Sequence, residues 1–334
     1  MAGDLAPFSR EGGFVRRGSP WDYMVYVVVR LLICLAQAID IETCQGIVRG
    51  LAWIMADVLR VRGRVVEDNL RHAFPQQTAP QRRALVRQMW EHLLLMVLEV
   101  AHAGRKIHET NWRDYIELDH ANVAPMVELL LSERPKLLVS GHFGNFEVAG
   151  YMFGILGFPT YAVARNLDNP YLHDFVTQFR GVTGQHIIPK QDYDKVLKVL
   201  AGGGVVAILG DQYAGDKGCW VNFFGRPAST HKAVAVLALE HGASLTVAYA
   251  RRLGRPLHFE MVLYAMADPC APGQPVGSVF ELTQWYASRL EEIVRLAPEQ
   301  YWWVHRRWKE YGLARRKRRN SRQFSAASDQ QATK

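Results

Sequence analysis

Four cysteines in 334 residues, at positions 34, 44, 219 and 270, form no CxxC pair. That spacing excludes a disulfide scaffold and a cysteine-rich zinc site, and it fits a reducing compartment. The glycines at 202–204 follow no strand in a GxGxxG pattern, and no GxxxxGK[ST] loop is present, so no nucleotide site is read. Ser140 stands near His142 but outside any G-x-S-x-G elbow, which removes the usual seryl nucleophile. His92, His102 and His108 find no third ligand at metal spacing, and Asp211 and Asp216 alone do not make a metal site. A secretory leader of the usual form is also missing, because the first apolar stretch begins late and lacks a small-residue cleavage site. No linker-like composition divides the chain. The expected organisation is a flexible segment 1–20, an amphiphilic helical region 21–64, one main domain 65–314 and a basic, disordered tail 315–334.

What is present is positive charge and apolar surface. Lys and Arg number 40 against 32 Asp and Glu, a formal net charge of +8, and 49% of residues are hydrophobic. Such a balance suits anionic lipid, a phosphorylated substrate, an acidic carrier protein or nucleic acid, and does not choose among them. The stretch WDYMVYVVVRLLICLAQAI, residues 21–39, approaches the length of about 20 residues that a spanning helix needs. Arg30 sits in its middle, where insertion costs about 2.5–3.5 kcal/mol. Residues 47–59 are again apolar but carry Arg49 and end at Arg60, Arg62 and Arg64. Two arginine-interrupted helices read best as lying in one leaflet with their cations at the headgroups.

The segment KLLVSGHFGNFEVAG, residues 136–150, organises the rest. Leu137-Leu138-Val139 reads as a buried strand that stops at Ser140-Gly141, with Asn145 placed to cap a following helix. His142 would then stand at the carboxyl end of a strand, where open α/β sheets keep their ligand sites. Glu147, five residues on, is the carboxylate expected to orient that imidazole as a general base. Backbone N–H groups of Phe143, Gly144 and Asn145 are candidate donors to a developing oxyanion. Apolar runs at 115–118, 161–164, 186–189, 205–209, 242–249 and 257–263 alternate with helical patterns, which predicts an α/β domain with a mixed central sheet flanked by helices. His92 lies on the apolar face of a long helix expected over 81–102 and reads as a buried, bonded histidine.

Further charged and aromatic positions are candidates for substrate handling. Arg165 ends the second strand of the domain and suits bidentate phosphate binding; Arg180 is a second anion binder. Asp211 is a structural or substrate-orienting group delivered by the strand 205–209, with Arg165 as its expected partner. Phe223 and Phe224 would line a passage for an apolar chain while Arg226 faces the polar part of the substrate. Arg306, Arg307 and Lys309 make a cationic rim beside interfacial tryptophans. His305 has no local carboxylate and ranks below His142 as a base.

The motif HFGNFE, with Arg165–Pro170, Gly210-Asp211-Gln212, Phe223–Arg226 and Tyr301–Lys309 following in order, resembles the bacterial lipid A biosynthesis acyltransferases of the lauroyl/myristoyl type. The resemblance covers about residues 20–312; Asn166 departs from it, where many members carry proline. It implies a glycerolipid-acyltransferase-like fold with an N-terminal membrane-associated helical region, and O-acyl transfer without a resident cofactor. The implied donor is an acyl-carrier-protein thioester, with coenzyme A as the alternative. The implied acceptor is a membrane glycolipid such as a lipid A precursor, or else another glycolipid such as a phosphatidylinositol mannoside. The implied place is the cytoplasmic face of a bacterial inner membrane, among anionic lipids. No specific nucleic acid is expected, although a non-catalytic membrane- or nucleic-acid-binding protein is the rival reading from charge alone.

Overall fold

The computed structural model describes residues 18–119, 123–271 and 276–309, so most of the readings on residues 1–20 and the whole 315–334 tail lie outside the described residues. The chain opens with helices α1 (Pro20–Gln37), α2 (Ile41–Trp53), α3 (Gly63–Ala73) and α4 (Ala79–Lys106). A π-helical turn, Ile54–Val58, extends α2. Ser19 and Asp22 form a capping box that fixes the start of α1. No residue of α1 is buried, and Trp21, Leu31, Leu32 and Leu35 are more than half exposed. By length and composition α1 is apolar enough to cross a membrane.

The domain that follows runs β1 (Ile116–Leu118), α5 (Val123–Leu131), β2 (Lys136–Ser140), α6 (Phe146–Ile155), β3 (Thr160–Ala164), α7 (Pro170–Gly181), β4 (Gln185–Pro189), α8 (Tyr193–Ala201) and β5 (Val205–Leu209). It continues through β6 (Cys219–Phe223), β7 (Arg226–Thr230), α9 (Ala233–His241), β8 (Ser244–Arg252), β9 (Phe259–Ala267) and α10 (Val279–Leu296). Seven strands form one sheet in the order β1-β9-β8-β2-β5-β3-β4, parallel except for the antiparallel pair β8–β9. The fold is therefore α/β with a mixed central sheet flanked by helices. Strands covered on both faces read as continuous apolar runs, as Leu137-Leu138-Val139 and Val205–Leu209 do. β6 and β7 stand apart as a hairpin. Its turn holds Phe224 and Gly225 at φ 53° and 73°. Two left-handed residues match the twist of the flanking strands, and glycine takes the second at no steric cost.

Register sets the site. β2 and β5 are parallel neighbours paired Ser140↔Leu209, and the Gly210 N–H closes the ladder on the Ser140 carbonyl at 2.9 Å. Two residues past one strand end is His142; two residues past the other is Asp211. The pairing places them side by side at the carboxyl edge of the sheet.

Candidate active site

The loop 141–145 is bound from three sides. The Gly144 N–H donates to the Gln300 carbonyl and the Asn145 N–H to the Ala250 carbonyl, each at 2.9 Å. The Trp302 N–H donates to the His142 carbonyl at 3.0 Å. Asn145 caps α6 through its side-chain oxygen, 3.1 Å from the Val148 nitrogen. Gly144 has φ 58°, and a Cβ there would lie 1.9 Å from the Ala250 oxygen, so the position requires glycine twice over.

Behind the loop is a buried polar network. Glu99 is fully buried and takes both arms of the Arg252 guanidinium, Nη2 to Oε2 at 2.6 Å. Glu99 also accepts from Asn145 Nδ2 at 2.9 Å and the Leu257 N–H at 3.1 Å. Arg252 Nη1 lies 2.9 Å from His92 Nδ1, and His92 Nε2 lies 3.1 Å from the Gly144 oxygen. A guanidinium only donates, so Nδ1 accepts and the Nε2–H donates to Gly144. Burial, with the neighbouring Arg252 charge, holds His92 well below its ordinary value, which keeps it in this neutral tautomer. His92 is the buried, bonded histidine its helical position predicts.

The carboxylate on His142 is Asp211, not Glu147. Asp211 Oδ1 lies 2.8 Å from His142 Nδ1, and Oδ2 accepts the His142 backbone N–H, also at 2.8 Å. Burial alone would raise the Asp211 carboxyl, but the His142 contacts and the Arg307 charge hold it below the carboxylate range. An ionised carboxylate accepts only, which puts a ring proton on Nδ1, and the nitrogen facing Nε2 is an amide donor, so Nε2 accepts and is left bare. Gln212 Nε2 sits 3.0 Å from that nitrogen and 2.9 Å from His305 Nε2, so one amide bridges two imidazoles. Burial first, then the repulsion that protonating both neighbouring imidazoles would bring, pushes His305 down to about 4. The rings of Trp302 and Phe146 close on His142 at 5.0 and 5.3 Å between centroids.

Glu147 is instead taken by Arg180, which grips it with two nitrogens, Nε to Oε2 at 2.9 Å. A five-residue offset carries Glu147 onto the first turn of α6, where a cation on α7 is the nearer partner. Both line a mostly apolar pocket with Leu138, Phe146, Phe153 and Ala162. Arg165 is exposed and pairs with Asp168 at 2.8 Å rather than with Asp211. Phe223 and Phe224 do not line a passage: they are buried against Trp303, Trp308 and Phe74. Arg226, half-exposed at the start of β7, lies close enough for its charge to act on His72. Arg307 is no rim residue; it is buried and donates to the Ser229 carbonyl and Thr230 Oγ1, each at 2.6 Å. Arg306 is exposed, as a rim residue should be. Of the three candidate oxyanion donors, Gly144 and Asn145 are already committed to backbone carbonyls; the Phe143 N–H has no partner among the described residues.

Sequence reasoning did not find the His142–Asp211 pair or the bridging Gln212. The signal was there in two strands that each end in glycine followed by a polar residue, SGH and LGD. Reading it requires knowing that β2 and β5 are neighbours although β3 and β4 separate them in the chain.

A histidine held by a buried carboxylate at the carboxyl ends of parallel strands, without a seryl elbow, is a group placed where α/β enzymes keep their ligand sites and chemically able to take a proton. Residues 15–310 match the family described as bacterial lipid A biosynthesis acyltransferase, and the chain belongs to that family. It is 26% identical over 266 residues to the lipid A biosynthesis lauroyltransferase of Escherichia coli K12, covering 78% of this chain and 83% of the relative. It is 25% identical over 256 residues to the lipid A biosynthesis palmitoleoyltransferase of the same strain, covering 75% and 80%. A lipid A biosynthesis acyltransferase of Shigella flexneri is similar to the same extent. The protein is an acyltransferase of lipid and lipopolysaccharide biosynthesis, and the exposed apolar helix together with the family indicates membrane association.

Proposed function

We propose that this enzyme transfers a fatty-acyl group from an acyl-carrier-protein thioester to a hydroxyl of a membrane glycolipid, a lipid A precursor being the acceptor its relatives' names favour. The observation that carries the reading is the bare Nε2 of His142, fixed by Asp211 and flanked by an apolar pocket on one side and a polar opening on the other. The acceptor hydroxyl displaces the Gln212 amide from Nε2 and gives that nitrogen its proton as its oxygen attacks the thioester carbonyl. The new C–O bond forms, the C–S bond breaks, and the proton passes from the imidazolium to the leaving thiolate. Asp211 stabilises the imidazolium, as the carboxylate of a hydrolase triad does. The displaced Gln212 amide and the Phe143 N–H are the donors left for the oxyanion. The acyl chain occupies the pocket beside Phe146, with the Glu147–Arg180 pair in its wall.

Attachment to the cytoplasmic face of the inner membrane goes through α1 and α2 lying in one leaflet. Arg30 supports this over spanning: its guanidinium lies 4.6 Å from the Phe175 ring centroid and bonds Tyr26, so the helix is docked on α7. Mass-spectrometric acyl transfer tests the reading, with acyl-carrier-protein and coenzyme A thioesters offered to lipid A precursors and to total membrane lipid. Product made by the native protein and lost in His142→Ala is expected, and its mass names acceptor and chain. Product that survives His142→Ala sinks the mechanism.

A further inference from the structure

Beside the base lies a bowl of about 690 Å³ whose near wall is Gln212 and His305. The rest of its lining includes Arg60, Arg62, Arg64, Arg306 and Lys309. Among the described residues none of these five cations forms a salt bridge with a carboxylate, whereas Arg49, Arg83 and Arg289 elsewhere each pair with one. Arg62 Nη1 donates to the Val304 carbonyl at 3.1 Å, which pins that side of the bowl to the segment carrying His305.

The cost of this arrangement is visible in the backbone and in the charge. Arg60 and Arg62 both hold left-handed φ, 47° and 52°, a conformation that disfavours any residue with a Cβ. Arg62 is the residue before α3, and no side chain caps that helix. A helix start carries partial positive charge, so Arg62 and Arg64 stand where a cation is least favoured. The same field reaches the site, where the Arg62 charge adds to the burial that keeps His305 neutral. Five converging cations and the positive end of a helix are mutually repulsive until an anion enters.

Geometry decides which substrate brings that anion. Nδ1 of His142 is occupied by Asp211, so proton transfer runs only through Nε2. What flanks Nε2 is Gln212, and behind it His305, and both are walls of the bowl. The hydroxyl-bearing substrate therefore reaches the base from the cationic side, while the apolar pocket beside Phe146 takes the chain.

We propose that the bowl is the recognition site for a phosphate monoester on the acyl acceptor, held by Arg60, Arg62, Arg64, Arg306 and Lys309 while the acceptor's hydroxyl reaches His142. The assignment of the bowl to the acceptor rests on the reading of His142 as the base. A phosphate monoester suits it because its oxygens accept several arginine forks at once and its charge is close to two.

The test uses the purified full chain, the double variant Arg64→Gln/Arg306→Gln and a control, Lys198→Gln, on the distant exposed face of α8. Isothermal titration with inorganic pyrophosphate at low salt reads the site without turnover. Native protein and the control bind, and the double variant binds at least about tenfold more weakly, the worth of one charge-assisted hydrogen bond. In steady-state transfer the double variant raises KM for a phosphorylated glycolipid acceptor by at least about the same factor, with kcat and the donor KM unchanged. The same acceptor stripped by phosphatase no longer distinguishes the variant from the native protein. Pyrophosphate binding unchanged in the double variant overturns the site. A rise in donor KM with acceptor KM steady overturns its assignment to the acceptor and gives the bowl to the donor's phosphopantetheine. Native protein that binds pyrophosphate yet acylates no glycolipid removes the base assignment and leaves the anion site standing.

Discussion

The two flanks of the loop that carries His142 are built from opposite materials. On the Gln212 side the walls are guanidinium, amide and imidazole. On the Phe146 side they are aliphatic and aromatic, relieved only by the Glu147–Arg180 pair and a few polar groups near the sheet. Two carboxylates stand near the loop, Asp211 buried beneath it and Glu147 in the apolar wall, and they do different things. Asp211 is buried and bonds both the ring and the backbone of His142. Glu147 is partly exposed and neutralised by an arginine of its own. A carboxylate at a motif position is thus not automatically the partner of the histidine beside it in sequence; the partner is the one that strand register delivers.

The largest effect expected from breaking this comparison is at Asp211. Asp211→Asn keeps the shape but offers an amide donor to Nδ1, which drives the proton onto Nε2, and kcat should fall about 10³–10⁴-fold. Glu147→Gln should cost less. Equal losses in single-turnover assays would mean that both carboxylates govern His142, and a larger loss at Glu147 would reverse their roles. Next comes the support between the flanks: Glu99→Ala leaves Arg252 buried without its carboxylate and should cost about 3–5 kcal/mol of stability, measured by chemical denaturation. On the apolar flank alone, Ala162→Leu should favour shorter acyl donors by about tenfold in kcat/KM, consistent with about 1–3 kcal/mol per methylene in a fitted pocket. An unchanged chain-length profile would remove the acyl chain from that pocket.

The smallest expected effect is pH-dependent. His72, His92, His102, His186, His231 and His305 are all held below the ordinary imidazole value, with burial the first cause in each. The unfolded chain binds protons near pH 6.5 and the folded chain only at lower pH, so this stability is complete above about 6.5 and is lost as pH falls below it. Thermal unfolding should therefore show a midpoint that drops between pH 7 and 5. His305→Gln should make the drop shallower, because the His305 value of about 4 spreads its share of the loss from about 6.5 down to 4, more than half of it inside that window. A midpoint flat with pH would show that these imidazoles are not kept neutral by the fold.

Much of the fold was legible. Apolar runs located β2, β3, β4 and β5 to within a residue or two, and the periodicity at 279–296 gave α10 its bounds. Asn145 announced the start of α6 because a cap is a local interaction. The hairpin β6–β7 was not read as strands, since its inward aromatics, Phe223 and Phe224, look like lining residues until the tryptophans they meet are brought in from positions 303 and 308. The site was half legible for the same reason. His142 is set by its own strand, whereas Asp211, Gln212 and the buried Arg307 reach it across 69, 70 and more positions of sequence. Arg165 and Arg307 looked alike as isolated cations. One is at the surface with Asp168 and the other is inside the protein, and only packing separates them.

The close approach of Gly144 to the Ala250 carbonyl has one more consequence. With no room for a single carbon before the Ala250 carbonyl, the loop cannot be retuned from within; it works as a fixed datum against which everything else is measured. Any drift in what this enzyme accepts must then be written in the two flanks, in the bore of the apolar pocket or in the charges around the bowl. Both are surfaces where side chains can change without moving the base. On the proposed assignments, chain length and headgroup become separate dials, and a lineage can turn either without disturbing the other.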